Sequence, residues 1–200
     1  LCSAGRARVL SSRVLHARRP SRWYYHADRL GVAIFQDMPQ KYLAQGRSNA
    51  TVQLFVDDLK AMVAGRGSHP CILQWTAFNE GDCWKVFTED NPPSIAGIVR
   101  LFKQLDPHRL VDTDSGNPSG VAPMGGSVTP GQEAAFNSSG DVADVHTYPI
   151  PGDPRPGNPR TQFGKNGTRY GMVGEYSGLG ATPANKQYLP GGCEHQNWPN

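Results

Sequence analysis

The hydrophobic positions along this chain fall into two kinds of segment. The first kind has an apolar residue at every third or fourth position, which predicts amphipathic helices over 22–30, 51–64 and 94–105. The second kind is a short apolar run, which predicts strands buried on both faces. These runs cover 32–35, 71–78, 109–113, 142–146 and 170–173. Strands that alternate with helices indicate βαβ units and a parallel sheet.

Each predicted helix has one apolar face that we expect to pack on the sheet. In the first helix this face is Trp23, Ala27 and Leu30, and Gly31 is expected to end the helix. The faces of the other two helices are larger, and they consist of Val52, Phe55, Val56, Leu59, Met62 and Val63 and of Ile95, Ile98, Val99, Phe102 and Leu105. Trp23 and Trp75 are expected to belong to the core.

Polar residues gather where the predicted strands end, and they include Asp37, Asn79, Glu80, Asp112, Asp114, His146, Tyr148 and Glu175. In a (β/α)8 barrel the carboxyl ends of the strands carry the active site. A doubly wound sheet also binds ligands at strand ends, but it usually carries a Gly-rich phosphate loop. No G-x-G-x-x-G motif follows a predicted strand here. The sequence therefore favours an α/β fold of the TIM-barrel type.

Glu80 and Glu175 are the two glutamates that lie at predicted strand ends. Two carboxyl groups at one rim of a barrel are the apparatus of glycoside hydrolysis. One has to be protonated to donate to the leaving oxygen, and the other has to be ionised to attack the anomeric carbon. The alternative is that each glutamate is an ordinary surface or ion-paired side chain. Their common placement favours the catalytic interpretation.

Five segments in order resemble the catalytic domain of glycoside hydrolase family 2. Residues 69–81 (HPCILQWTAFNEG) resemble its acid/base segment, and residues 173–178 (VGEYSG) resemble its nucleophile segment. The other three segments are 27–39 (ADRLGVAIFQDMP), 106–111 (DPHRLV) and 144–149 (DVHTYP). This resemblance implies a partial (β/α)8 TIM barrel that comprises about strands three to seven, since the match begins at the family's third strand.

The resemblance also implies a role for each residue. Glu80 would be the general acid/base, and Glu175 the nucleophile of a retaining double-displacement reaction on β-glycosides. Asn79 would bind the sugar 2-hydroxyl, and Tyr148 would donate to the nucleophile carboxylate. The side chains that would line the sugar pocket are His146 and Asp37.

Trp84 follows the acid/base strand and is a further substrate-binding candidate, as a stacking surface for the sugar ring. The resemblance implies an exo-β-glycosidase such as a β-galactosidase or β-glucuronidase, with no metal and no cofactor. The sequence does not select the sugar.

The resemblance divides the chain in two. Residues 1–21 are expected to be a divergent or disordered Arg/Ser-rich segment, and residues 22–200 a partial catalytic barrel. Accessory β-sandwich domains are expected in a full-length chain. Because a partial barrel exposes strand edges, we expect little activity from this chain alone. A truncated, non-catalytic carbohydrate-binding remnant therefore stays open as the alternative.

Charge and composition exclude several other classes. The net charge is +3, but six of the 20 Lys and Arg residues lie within positions 1–22, and the rest are fewer than the 17 acidic residues. The body of the chain therefore lacks the basic excess typical of nucleic-acid binding. No apolar run is long enough to span a membrane, and the cysteines do not have zinc-ligand spacing. Three sequons weakly favour a secretory route, at Asn49, Asn137 and Asn166.

Overall fold

The computed structural model describes residues 10–14, 19–39, 48–80, 83, 87, 93–116, 139–147 and 169–176. The strands in this part of the chain are β1 (Leu10–Val14), β2 (Val32–Asp37), β3 (Ile72–Asn79), β4 (Leu110–Ser115), β5 (Val142–Thr147) and β6 (Tyr170–Tyr176). The helices are α1 (Ser21–Leu30), α2 (Asn49–Arg66) and α3 (Ile95–Leu105). No helix within these ranges is long and apolar enough to cross a membrane.

The strands form one six-stranded sheet in the order β1-β2-β3-β4-β5-β6. Every neighbouring pair is parallel. A doubly wound sheet reverses its strand order at one point, whereas a barrel keeps the chain order throughout. The sheet is therefore a curled half-barrel with helices, and the predicted partial α/β TIM barrel is confirmed.

The first strand lies within the segment 1–21. Leu10–Val14 pairs in parallel with β2, from Leu10 opposite Val32 to Val14 opposite Gln36. The sheet of the half-barrel therefore has six strands, and residues 10–14 form its first edge. The segment Leu-Ser-Ser-Arg-Val has no unbroken apolar run, which is why the pattern did not reveal it. An edge strand can be held through backbone hydrogen bonds, which require no particular side chain.

The apolar core lies between the sheet and the helices. The predicted face of α2 is confirmed, since its buried residues are Val52, Phe55, Leu59, Met62 and Val63. The ring of Phe55 lies 5.3 Å from that of Phe78 and 5.0 Å from that of Phe87, measured between centroids. Trp75 is fully buried, as predicted, and its indole N–H donates to Asp106 Oδ2 at 3.0 Å.

The predicted face of α1 is partly wrong. Tyr24 and Ala27 are the buried residues of this helix, whereas Leu30 is 75% exposed. Leu30 is the last helical residue before Gly31, which ends the helix as predicted. Tyr24 is held inside because its hydroxyl donates to the buried amide oxygen of Gln36. The buried side of α1 therefore includes a polar contact with β2.

A carboxylate joins α1 to the amino end of β3, and we call Asp28, His69 and Cys71 the Asp28 clamp. Asp28 Oδ1 accepts the backbone N–H of Cys71 at 2.8 Å, and Oδ2 lies 2.6 Å from His69 Nδ1. Burial opposes ionisation of Asp28, but the hydrogen bonds from Cys71 and His69 outweigh it and lower the pKa of this carboxyl group. The clamp fixes the start of β3 against the helix layer.

Candidate active site

Three side chains converge at the carboxyl ends of the strands. Glu80 follows β3, His146 lies in β5 and Glu175 lies in β6. His146 Nδ1 is 3.1 Å from Glu80 Oε1, and His146 Nε2 is 3.6 Å from Glu175 Oε1. One carboxylate oxygen of each glutamate and one imidazole nitrogen all lie within 4.8 Å of one another. The two glutamates share one rim of the sheet, as the strand-end pattern predicts.

Glu80 is positioned by a change of backbone conformation at the end of β3. Its φ is 52°, in the left-handed region that non-glycine residues seldom adopt. The backbone N–H of Glu80 donates to the carbonyl oxygen of Ser115 at 2.8 Å, so pairing with β4 continues through this residue. Strained backbone of this kind concentrates at functional sites. The Glu80 side chain is 54% exposed, and it therefore faces solvent above the rim.

Glu175 is positioned by an irregularity in the pairing of β5 with β6. Val145 pairs with Val173 but His146 pairs with Glu175, so Gly174 is an extra residue on β6. This bulge brings Glu175 beside His146, because the extra residue moves the following side chain to the other face. Gly174 donates its backbone N–H to Asp144 Oδ1. A Cβ at this position would lie 2.0 Å from Asp144 Oδ2, so any larger residue would require the Asp144 carboxylate or the strand to shift.

Ser115 and Gly116 fix the position of the His146 imidazole. Its Nε2 lies 2.8 Å from Ser115 Oγ, and the Ser115 hydroxyl donates to Asp144 Oδ2. Gly116, with φ of 78°, passes under the ring, where a Cβ would come within 2.5 Å of Nδ1. The His146 side chain is only 6% exposed. Its two ring nitrogens are therefore fixed toward the two glutamates.

The structure places two other predicted site residues at the same end of the sheet. Asn79 is the last residue of β3, is 5% exposed and pairs with Ser115 of β4. Asp37 is the last residue of β2, is 1% exposed and pairs with Thr76. Tyr148 and Trp84 lie outside the described residues. The structure thus brings together Glu80, His146 and Glu175, and Asn79 immediately precedes Glu80 in the sequence.

Sequence reasoning missed three residues of the site, namely Ser115, Asp144 and Gly174. Asp144 precedes His146 by two positions, so strand alternation places both side chains on one face. That signal was available in the sequence. The bulge at Gly174 and the contact of Ser115 with two strands depend on the register between strands, which a single sequence does not give.

The three converging side chains also offer atoms of the type that divalent metals accept. In the described geometry, however, the two carboxylates face opposite nitrogens of one imidazole ring. The contacts of both carboxylates with the imidazole make the group an acid–base cluster, and its chemistry is considered as such below.

Comparison with known proteins identifies relatives of the fold only among solved structures. No family model matches the chain, and no curated protein matches its sequence. The chain is similar to the glycoside hydrolase family 2 β-galacturonidase from Eisenbergiella tayi bound to galacturonate. The identity is 18% over 89% of this chain and 31% of that chain, with a TM-score of 0.56.

Two further solved structures are less similar. A β-D-glucuronidase from Dictyoglomus thermophilum has 17% identity over 68% of this chain and 23% of that chain, with a TM-score of 0.49. A glycosyl hydrolase family 2 member from Bacteroides cellulosilyticus has 20% identity. The match covers 66% of this chain and 16% of that chain, with a TM-score of 0.43. At such identities the likeness to the galacturonidase establishes the fold. The chain spans between 15% and 31% of the length of the solved relatives that it matches.

Proposed function

We propose that this chain carries the catalytic centre of a retaining β-glycoside hydrolase. The observation that supports this most is the spacing of Glu80 and Glu175, whose carboxylate oxygens approach within 4.8 Å across the rim of a half-barrel. Retaining glycosidases hold their two carboxyl groups roughly 5–5.5 Å apart, whereas inverting enzymes need about 6.5–9.5 Å to admit a water molecule. The approach of the two carboxylates is closer to the spacing of retaining enzymes, and it supports the retaining form of the proposal.

In this proposal Glu175 attacks the anomeric carbon and Glu80 protonates the departing glycosidic oxygen. The C–O bond to the leaving group breaks with its electron pair on that oxygen, and a glycosyl ester forms on Glu175. In the second step a water molecule attacks the anomeric carbon and Glu80 takes its proton. The ester bond to Glu175 breaks with its electron pair on the Glu175 oxygen, which regenerates the carboxylate. Glu175 is the better placed nucleophile because its side chain is 20% exposed, against 54% for Glu80, so fewer water molecules solvate it.

The remaining residues would bind the sugar. Asn79, next to Glu80, would accept or donate a hydrogen bond at the 2-hydroxyl. His146 and the buried Asp37 would line the sugar pocket. Tyr148 would donate to Glu175, and Trp84 would stack on the sugar face.

Among candidate substrates we propose β-glucuronides and β-galacturonides first. The solved relatives include a glucuronidase and a galacturonidase, and the galacturonidase carries the fold comparison. Neutral β-galactosides form the second group to test.

The proposal is tested by trapping the covalent intermediate. A 2-deoxy-2-fluoro glycosyl fluoride has a good leaving group and a slowed hydrolysis step, so the glycosyl ester accumulates. We expect a mass increase of one fluorosugar on the peptide that contains Glu175, with the glucuronyl or galacturonyl reagent. The Glu175→Gln chain is the control and should gain no mass. Labelling of Glu80 instead, or of neither glutamate, would contradict the assignment.

A non-catalytic carbohydrate-binding remnant is the second candidate. It is favoured by the 54% exposure of Glu80, because water around this carboxylate screens the repulsion that would keep one proton in the pair. This candidate predicts no covalent label but saturable chemical-shift changes at His146 and Asn79 on titration with the free sugar acid. Trapping and titration therefore distinguish the two candidates.

A further inference from the structure

The hydrogen bonds under His146 determine where its protons lie. The Ser115 hydroxyl has a single hydrogen, and it donates that hydrogen to Asp144 Oδ2. The other oxygen of Asp144 accepts the backbone N–H of Gly174, so both oxygens act as acceptors. This is the pattern of an ionised carboxylate, which has no hydrogen of its own to give.

Ser115 Oγ therefore has only lone pairs left for the imidazole. His146 Nε2 lies 2.8 Å from this oxygen, so Nε2 has to carry the hydrogen in that contact. Glu175 Oε1 lies 3.6 Å from the same nitrogen, as expected for a carboxylate that faces an N–H group. The partner of one ring nitrogen sets the state of the other, which is the usual way in which a protein selects a histidine tautomer.

We infer that Ser115 and Asp144 are positioning residues that hold one proton in the contact between His146 Nδ1 and Glu80 Oε1. These atoms are 3.1 Å apart. If His146 is neutral with its hydrogen on Nε2, its bare Nδ1 can only accept, so Glu80 has to be the protonated partner. If His146 is charged, Nδ1 donates the same proton to an ionised Glu80.

This inference rests on the proposed function, to which it adds the origin of the acid proton. In the first step the proton passes from Glu80 to the glycosidic oxygen, and Nδ1 then faces the carboxylate with its lone pair. In the second step the proton of the attacking water returns to Glu80 and restores the contact. Ser115 and Asp144 keep their own hydrogen bonds throughout, so no other co-reactant is required.

The charged groups that face the His146 ring among the described residues agree with this arrangement. They are Glu80 after β3 and Glu175 on β6, with Asp144 one contact further away through Ser115. The low exposure of the His146 side chain, 6%, limits exchange of that proton with bulk water.

Nitrogen NMR of the chain tests the inference without any turnover. In chain enriched with ¹⁵N-histidine, His146 Nε2 should show the chemical shift of a protonated ring nitrogen at every pH at which the chain is folded. At one fixed pH the Nδ1 resonance should move in Glu80→Gln, because this variant removes the carboxyl group that shares a proton with Nδ1, whereas Nε2 should stay protonated. A deprotonated Nε2 with a protonated Nδ1 would overturn the inference.

Serine variants show whether Ser115 sets the tautomer. In Ser115→Ala the Nε2 resonance should shift toward the deprotonated position as the second tautomer appears. The matched control is Ser139→Ala, a buried serine whose hydroxyl lies 3.5 Å from Thr113 Oγ1, and it should leave the resonance unchanged. An unshifted Nε2 in Ser115→Ala would contradict the role of Ser115. If that variant does not fold, the wild-type spectrum still decides.

The outcome is separable from that of the proposed function. A protonated Nε2 in a chain that is never labelled by the fluorosugar would reject the glycosidase and retain the proton placement. Labelling at Glu175 together with a deprotonated Nε2 would retain the glycosidase and reject the proton placement.

Discussion

Strand β3 has a carboxylate–imidazole contact at each end, and the two contacts differ in what surrounds them. At the amino end Asp28 lies 2.6 Å from His69 Nδ1 and also accepts the backbone N–H of Cys71 at 2.8 Å. At the carboxyl end Glu80 lies 3.1 Å from His146 Nδ1, and Glu175 approaches the opposite nitrogen of the same ring. The first contact ties helix α1 to the strand, whereas the second joins three titratable side chains at an open rim.

The difference shows that a carboxylate beside an imidazole does not by itself identify a functional site. In the Asp28 clamp the carboxylate accepts a hydrogen bond from the backbone of Cys71, so its removal should lower the free energy of unfolding. At the rim the imidazole holds two carboxylates, and one of them is 54% exposed. Removal of that carboxylate should cost little stability and much activity.

The largest effect is expected from substitution of the rim glutamates, Glu80 and Glu175. The measured quantity is the rate of hydrolysis of aryl β-glycosides. Glu175→Gln should abolish turnover, because an amide is not a competent nucleophile. Glu80→Gln should lower kcat about 10²–10⁴-fold for poor leaving groups and less for good ones. Urea unfolding of Glu80→Gln should show a change below about 0.5 kcal/mol, as for most exposed sites.

Asp57→Asn removes one exposed charge from α2 and serves as the control for the rim variants. It should leave both turnover and unfolding unchanged. A Glu80→Gln chain that lost stability but kept full activity would contradict the prediction, because the contact at the carboxyl end of β3 would then be structural rather than functional.

The next largest effect is expected at the bulge that positions Glu175. Gly174→Ala would place a methyl group 2.0 Å from Asp144 Oδ2, so the carboxylate or the strand has to move. We expect a loss of about 3 kcal/mol in the free energy of unfolding, at the upper end of the range for overpacking. Glu175 should also lose its labelling by the fluorosugar.

Gly65→Ala is the matched control for this variant, since a Cβ there meets nothing within 4 Å. Because Gly65 lies within α2, alanine should raise the stability by about 0.4–1 kcal/mol. Urea unfolding measures the change in the free energy of unfolding for both variants. Equal changes in Gly174→Ala and Gly65→Ala would show that the bulge does not require glycine at position 174.

A smaller effect is expected at the Asp28 clamp, with a defined pH dependence. Asp28→Asn should cost about 1.5–2 kcal/mol at pH 7, because it removes hydrogen bonds to a charged acceptor. Since the folded chain lowers the pKa of Asp28, the stabilisation is present above about pH 4 and is lost as the pH falls through the folded pKa.

Urea unfolding of wild type and Asp28→Asn at pH 7 and in acid gives the measurement. The difference between the two chains should shrink as the pH falls. A difference that stays constant into acid would mean that the ionised form of Asp28 is not what stabilises the clamp.

The smallest effect is expected at the thiol of the clamp. Burial, together with the nearby Asp28 carboxylate, raises the pKa of Cys71 to about 12. Because the thiolate is the reactive form, alkylation of native Cys71 should stay near zero between pH 6 and pH 9. Site-resolved mass spectrometry before and after unfolding in urea measures this. Rapid alkylation of native Cys71 would show that the clamp opens.

Much of the fold follows from local patterns in the sequence. The apolar face of α2 and the burial of Trp75 could be predicted because burial follows the period of the apolar residues. The parallel sheet follows from the alternation of strands with helices. By contrast, β1 was missed because Leu10–Val14 has no apolar run. The burial of Tyr24 was missed because its partner Gln36 lies on another element, which the period of α1 does not reveal.

The sequence by itself determined which residues end the strands, and hence which carboxylates could meet at one rim. Only the tertiary structure decided how they meet. The bulge at Gly174, the left-handed turn at Glu80 and the contact of Ser115 with both Asp144 and His146 depend on the register between strands that are distant in the chain. The physical reason is that side-chain period is a local property, whereas register and proton placement arise only when several strands pack together.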